Sequence, residues 1–211
     1  MAGIPTNFQS VSPVLASYDW LDITSGTGYR RYYAVGSGDN TLFLSSRSMT
    51  SSTDYWSYTA NFNSTTPALT IDLDFDITLN VPADIKGTAY FNGLMRAWNN
   101  AGATSRFTVN VYHVNSGGTE TLLGTAVGAN TNDYYRECLK ISLTQKHFAI
   151  GEKLRLNVIL HGWNTGLSTG KVTVFYDPTS VVTKTDTSAT TSDTRTVGTD
   201  MYIDVPFRVN L

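Results

Sequence analysis

The sequence predicts an all-β protein, a two-sheet antiparallel jelly-roll sandwich in a single domain. Three observations predict it. Apolar and polar residues alternate with period two along most of the chain, as in strands with one face in a core and one in water. No stretch carries the 3.6-residue period of an amphipathic helix. Turns rich in Gly, Ser and Asn separate the alternating runs, and roughly eight to ten strands so punctuated imply a sandwich or barrel. Runs of ten or more residues favour a jelly roll over a short-stranded immunoglobulin domain, and the Cys-Trp-Cys core pattern is missing.

The elements follow in order. Residues 1 to 25 hold Pro5 and Pro13 and no strand pattern, so they are expected to form an irregular N-terminal arm ahead of a jelly-roll domain at 26 to 211. GYRRYYA (28 to 34) and TLFLSS (41 to 46) read as short strands. In LTIDLDFDITLNVP (69 to 82), Leu69, Ile71, Leu73, Phe75, Ile77, Leu79 and Val81 alternate with polar residues, which predicts a long strand. ADIKG breaks the pattern before a strand at 88 to 98, where Gly93 suggests a bulge or a close approach. RFTVNVYHV (106 to 114) and TETLLGTAV (119 to 127) flank Asn115-Ser116-Gly117-Gly118 and predict a hairpin. RECLKISLT (136 to 144) is a further strand, QKHFAI a short turn, and KLRLNVILHGW a strand with Leu154, Leu156, Val158 and Leu160 on one side. KVTVFYDP (171 to 178) stops at Pro178. The Thr/Ser-rich stretch 183 to 200 reads as an exposed loop. MYIDVPFRVNL closes the chain, and Pro206 predicts an edge position for its strand.

Bulk composition excludes several function classes. A chain of 211 residues is a plausible length for one domain and buries about 70% of its unfolded surface. Charged residues make up 15%, against a usual ~25%, and an uncharged polar surface suits all-β proteins and assembly subunits. The net charge of -2 offers no basic field for nucleic acid, so no nucleic-acid partner is expected. Cys138 is the single cysteine, which rules out an intrachain disulfide and a zinc ribbon. MAGIPTNFQSVSPV does not read as a signal peptide, and no run approaches the ~20 apolar residues of a membrane span, so no membrane partner is expected. Asn63-Ser64-Thr65 matches a glycosylation acceptor, a pattern common by chance.

Chemistry is tested residue by residue. Asp72, Asp74 and Asp76 alternate on one strand face, and at ~6.6 Å per two residues the outer pair stand about 13 Å apart. Their carboxylates cannot share one ion whose ligands lie at about 2.3–2.6 Å. A calcium loop also needs Gly at the sixth position and Glu at the twelfth, where Ile77 and Ala83 stand. The run reads as a solvated strand face, or else as a face that meets basic groups on a neighbour. Glu120, Glu137 and Glu152 form no evident glycosidase pair. His113, His147 and His161 lack zinc spacing, and His161 reads as a partly exposed strand-end residue. Cys138 is expected to face the core as a small hydrophobe. No nucleophile elbow, P-loop or dinucleotide fingerprint occurs. No catalytic residue, metal ligand or cofactor is therefore expected. The aromatics Tyr55, Trp56 and Tyr58, with Tyr32 and Tyr33 beside Arg30 and Arg31, are the candidate interface or glycan contacts.

The Thr/Ser/Asn-rich strands, GYRRYYAV, and IGEKLRLNVIL with GKVTVFYDPTS resemble jelly-roll virion structural proteins of tailed bacteriophages. That resemblance implies a non-enzymatic capsid decoration or cement subunit. It would be a homotrimer that docks on the major capsid protein, assembles in the host cytoplasm and resides in the virion. The alternative is a carbohydrate- or receptor-binding module of a tail fibre or baseplate, with Tyr55, Trp56 and Tyr58 stacking on a glycan.

Overall fold

The computed structural model describes residues 27–36, 41–47, 57–98, 102–164, 169–176, 182–187, 192–198 and 200–208. The expected arm at 1 to 25 lies outside them. Every regular element among the described residues is a strand. In order these are β1 (Thr27–Gly36), β2 (Leu42–Ser45), β3 (Ser57–Phe62), β4 (Ala68–Thr78), β5 (Ala83–Trp98), β6 (Ala103–Val114) and β7 (Glu120–Val127). There follow β8 (Tyr135–Phe148), β9 (Lys153–Asn164), β10 (Gly170–Phe175), β11 (Val182–Thr187), β12 (Ser192–Val197) and β13 (Tyr202–Arg208).

The expected all-β class holds, but where two packed sheets were expected, β11 and β12 pair apart and the other eleven strands form one large ladder. Its order is β3-β10-β5-β13-β1-β2-β4-β9-β6-β7, with β8 on the other edge of β5. The pairings are antiparallel except at β2–β4, where Phe43 meets Asp76 in parallel. Among the described residues, this short joint is all that links the two halves of the ladder in the hydrogen-bond pattern. The ladder curls so that strands distant within it meet. Phe91 on β5 packs edge-on against Phe107 on β6 at 5.5 Å, and Phe75 on β4 against Tyr176 beyond β10 at 5.4 Å. Burial of the apolar faces drives that closure. One core cluster contains Ile71 and Phe75 of β4, Phe91 of β5, Phe107 of β6, Ile141 of β8 and Val158 of β9.

Glycines set the closest approaches. A Cβ on Gly124 of β7 would stand 2.5 Å from the Ser142 carbonyl oxygen of β8, so these unpaired strands meet backbone to backbone there. Gly87 has φ +126° and lies where the β5–β8 register shifts, next to the Pro206 ring. This bulge is why ADIKG looked like a break although β5 begins at Ala83.

Three sequence expectations are corrected. QKHFAI turns only at its end, because β8 runs on to Phe148 and the turn comes at Ile150 and Gly151. The stretch 183 to 200 is not all loop: β11 and β12 pair antiparallel from Val182↔Val197 to Thr187↔Ser192, and alternating Thr residues suit strands. β13 is not an edge strand but lies between β5 and β1. Pro206 is tolerated there because the β13–β5 register shifts between Asp204 and Phe207, which removes the need for its missing N–H. The hairpin at Asn115–Gly118 forms as expected. The Asn115 side chain accepts from the Gly117 and Thr119 amides at 3.0 and 2.8 Å, and Gly118 takes φ +83°.

Candidate functional site

The aspartate strand resolves into an internal network. Arg155 on β9 stands in register with Asp76 on β4. Its guanidinium donates to both Asp76 oxygens at 2.7 and 2.9 Å, to Asp74 at 2.9 Å and to Glu120 of β7 at 2.7 Å. Lys153 reaches Asp76 at 3.4 Å. The Asn157 amide donates to Asp72 and Asp74 at 2.6 and 2.8 Å, and Asn110 donates to Asn157 at 2.9 Å. The basic partners are therefore on the same chain. Partial burial pushes the Asp76 carboxyl up, but hydrogen bonds and charge from Arg155 and Lys153 outweigh it and hold the group below the ordinary carboxylate range. Among the described residues, no group of three or more His, Cys, Asp or Glu side chains is placed to hold a metal ion.

The glutamates are each engaged in structure. Glu120 belongs to the Arg155 network. Glu137 is buried and accepts from the Ala129 amide at 2.9 Å. Glu152 lies 2.8 Å from Nε2 of buried His113 and accepts from the Ala149 amide at 2.7 Å. The His113 hydrogen bond and the Ala149 amide lower its pKa. His147 lies 2.9 Å from Asp84. His161 is partly buried opposite Arg106, and burial with that charge lowers its pKa, so it is neutral at pH 7. Among the described residues, no Ser, Thr or Cys side chain is hydrogen-bonded to a histidine.

The outer face of β8, β5, β13 and β1 carries a more open arrangement. Its cross-strand rows follow from register. Cys138, Asn92, Tyr202 and Tyr33 form one row, and Lys140, Tyr90, Asp204 and Arg31 the next. A groove of about 180 Å³ is lined by Tyr90, Asn92, Cys138, Lys140, Tyr202 and Asp204. Arg31 forks onto Asp204 with two bonds of 2.8 Å and lies 3.9 Å from the centre of the Tyr202 ring. Tyr33 packs edge-on against Tyr202 at 6.1 Å, and Tyr29 packs against Tyr90 at 5.9 Å. Arg136 donates to the Asn92 side-chain oxygen Oδ1 at 2.5 Å and pairs with Asp200 at 2.9 Å, while the Asn92 side-chain nitrogen lies 2.9 Å from Cys138 Sγ. Partial burial raises the Tyr202 pKa, Arg31 opposes it, and Asp204, Asp200 and Cys138 add to it, so the phenol keeps its proton at neutral pH.

Of the sequence-predicted site residues, the described side chains are those of Tyr32 and Tyr33. Tyr55 and Trp56 lie outside the described residues, and for Tyr58 only its backbone in β3 is described. Tyr32 is 1% exposed and packs edge-on against Phe207, so it belongs to the core. Alternation along β1 turns Tyr32 and Ala34 inward and Arg31 outward. Tyr33 is partly exposed at the end of the first row. Cys138 is exposed, not in the core. Its neighbours Glu137 and Leu139 take the inward positions, and period two leaves Cys138 outside with Lys140. The groove residues come from segments 46 to 114 positions apart, so their meeting was not visible in any one stretch.

No protein-family model matches the chain, and no curated protein matches it in sequence. Solved structures do match in fold. An α-amino acid ester hydrolase aligns with a TM-score of 0.57 at 12% identity over 85% of this chain and 36% of its own. An aminopeptidase from a marine sediment Thaumarchaeota archaeon aligns at 0.58, with 10% identity over 87% of this chain and 37% of its own. A CocE/NonD family hydrolase from Staphylococcus aureus aligns at 0.55, with 9% identity and the same coverages, 87% and 37%. The chain thus spans little more than a third of the proteins it resembles. These neighbours overturn the expectation of a non-enzymatic virion subunit. The capsid decoration or cement reading, its tail-fibre alternative and the expectation of no enzymatic function are withdrawn. In fold, the chain is similar to the portion, about 37%, that it covers in hydrolases of the α-amino acid ester hydrolase, aminopeptidase and CocE/NonD kinds.

Proposed function

We propose that this protein serves the hydrolysis of ester or amide bonds, with its curled β framework holding substrate. The observation that carries the reading is the shared fold with three hydrolases over 85–87% of this chain. The names of those proteins place ester and peptide bonds within one reaction class, attack on an acyl carbon. The described residues offer no nucleophile paired with a histidine. We assign them to substrate holding, through the groove between Tyr90 and Tyr202. We read the curled ladder as a jelly roll whose halves join at the β2–β4 pair.

The test uses the full-length protein with p-nitrophenyl esters and p-nitroanilides of amino acids. Chromophore release above the buffer blank, proportional to protein concentration, is the expected result. Tyr202→Ala is expected to raise KM with little change in kcat, as loss of uniform binding does. No release from either substrate set overturns the proposal.

A further inference from the structure

The groove on the outer face has a charge pattern that selects a ligand. Lys140 is the cation among the lining residues, and the two cations that bond to the groove's rim are already neutralised: Arg31 by the forked bond to Asp204, and Arg136 by Asp200. Lys140 is exposed and makes no ion pair or hydrogen bond among the described residues. The groove therefore presents one uncompensated positive charge, and Asp204 does not offset it because Arg31 holds both its oxygens. Tyr90, 41% exposed, and Tyr202 supply ring surface on adjacent strands. The volume is about 180 Å³. A dry cavity of about 150 Å³ takes one benzene ring, so this groove fits a single flat ring and little more.

We propose that the Tyr90–Tyr202 groove binds a small aromatic carboxylate, with its ring against the two tyrosines and its carboxylate on the Lys140 ammonium. The ring takes an offset or edge-on arrangement against the phenols. The ammonium, a compact charge on a flexible stem, follows the carboxylate without needing the planar match that an arginine fork requires. The groove is the one assigned above to substrate holding, and the proposal rests on that reading for the groove's role; alkylation measures occupancy without turnover, so either reading can fail alone.

Cys138 lines the groove and is the single cysteine of the chain, so its alkylation reports occupancy. The rate of alkylation by iodoacetamide, a neutral reagent, is followed by intact mass with benzoate, benzamide or acetate present. At ordinary ligand efficiency a molecule the size of benzoate binds with a Kd of about 10 mM, so about 50 mM benzoate slows alkylation about sixfold. Benzamide, which keeps the ring but not the charge, and acetate, which keeps the charge but not the ring, protect much less. Lys140→Met abolishes the protection and Lys140→Arg restores part of it, with thermal melts showing that both variants are folded. Unchanged alkylation in benzoate overturns the proposal. So does equal protection by benzamide or acetate, or protection that survives in Lys140→Met.

Discussion

At the scale of single residues, the side chain that organises most is Arg155. Its side chain is 19% exposed, and its guanidinium holds Asp74, Asp76 and Glu120 together across three strands. Removing it leaves three carboxylates facing one another. Arg155→Met is expected to lower stability by about 1–2 kcal/mol at pH 7, the sum of partly exposed charged bonds rather than of a buried pair. Urea denaturation checks this, and the loss should shrink as salt screens the charges. The pH dependence follows from Asp76. Its folded pKa lies below the ordinary carboxylate value, so the stabilisation is present above the unfolded pKa of about 3.9 and is lost as pH falls through the folded value. Wild type and Arg155→Met should therefore converge in stability in strong acid. A difference that stays constant down to the acid limit would contradict this role.

At the scale of elements, the turns and crossings depend on two glycines for different reasons. Gly151 ends the β8–β9 turn with φ +86°, and its amide donates to the Leu79 carbonyl at 2.9 Å. An added Cβ there meets nothing within 4 Å, so Gly151→Ala costs only the left-handed backbone strain, about 1–2 kcal/mol. Gly124 has no such strain, but a Cβ would press on the Ser142 carbonyl of β8. Backbone cannot swing aside as a side-chain tip can, so Gly124→Ala is expected to cost more, about 2–3 kcal/mol. Denaturation midpoints rank the two variants, and an equal or smaller loss at Gly124 would show that β7 is free to move off β8. The same turn holds Glu152 between His113 and the Ala149 amide. Because the Glu152 pKa is lowered, its contribution is present at neutral pH and disappears as acid protonates it.

At the scale of the whole molecule, stability comes from closure of the curled ladder upon itself. Phe107 is fully buried and meets Phe91 from the opposite half. Phe107→Ala is expected to cost about 3–5 kcal/mol, the usual price of a large cavity in a packed core. The urea midpoint should fall with the slope unchanged, since the folded state stays equally compact. A loss under about 1 kcal/mol would mean that the two halves do not pack through this pair. The closure also leaves the outer face of β8, β5, β13 and β1 free to form the groove, because its inward residues satisfy the core.

Period two along the chain by itself determined the all-β class, the positions of most strands and the Asn115–Gly118 hairpin. Strand geometry alone also removed Asp72, Asp74 and Asp76 from consideration as a single-ion site, since the spacing of side chains along a strand is local. The facing of Cys138 was equally local, and it was misread because the burial preference of cysteine was weighed above the alternation that places Leu139 inward. Tertiary structure decided what no local pattern encodes. It chose which strands pair, so that Arg155 answers the aspartates from β9, 79 residues beyond Asp76. It set Pro206 inside the sheet at a register shift instead of on an edge. It also brought Tyr90, Cys138 and Tyr202 into one groove. Pairing of this kind is settled by burying every apolar face at once, a property of the whole chain that no single stretch contains.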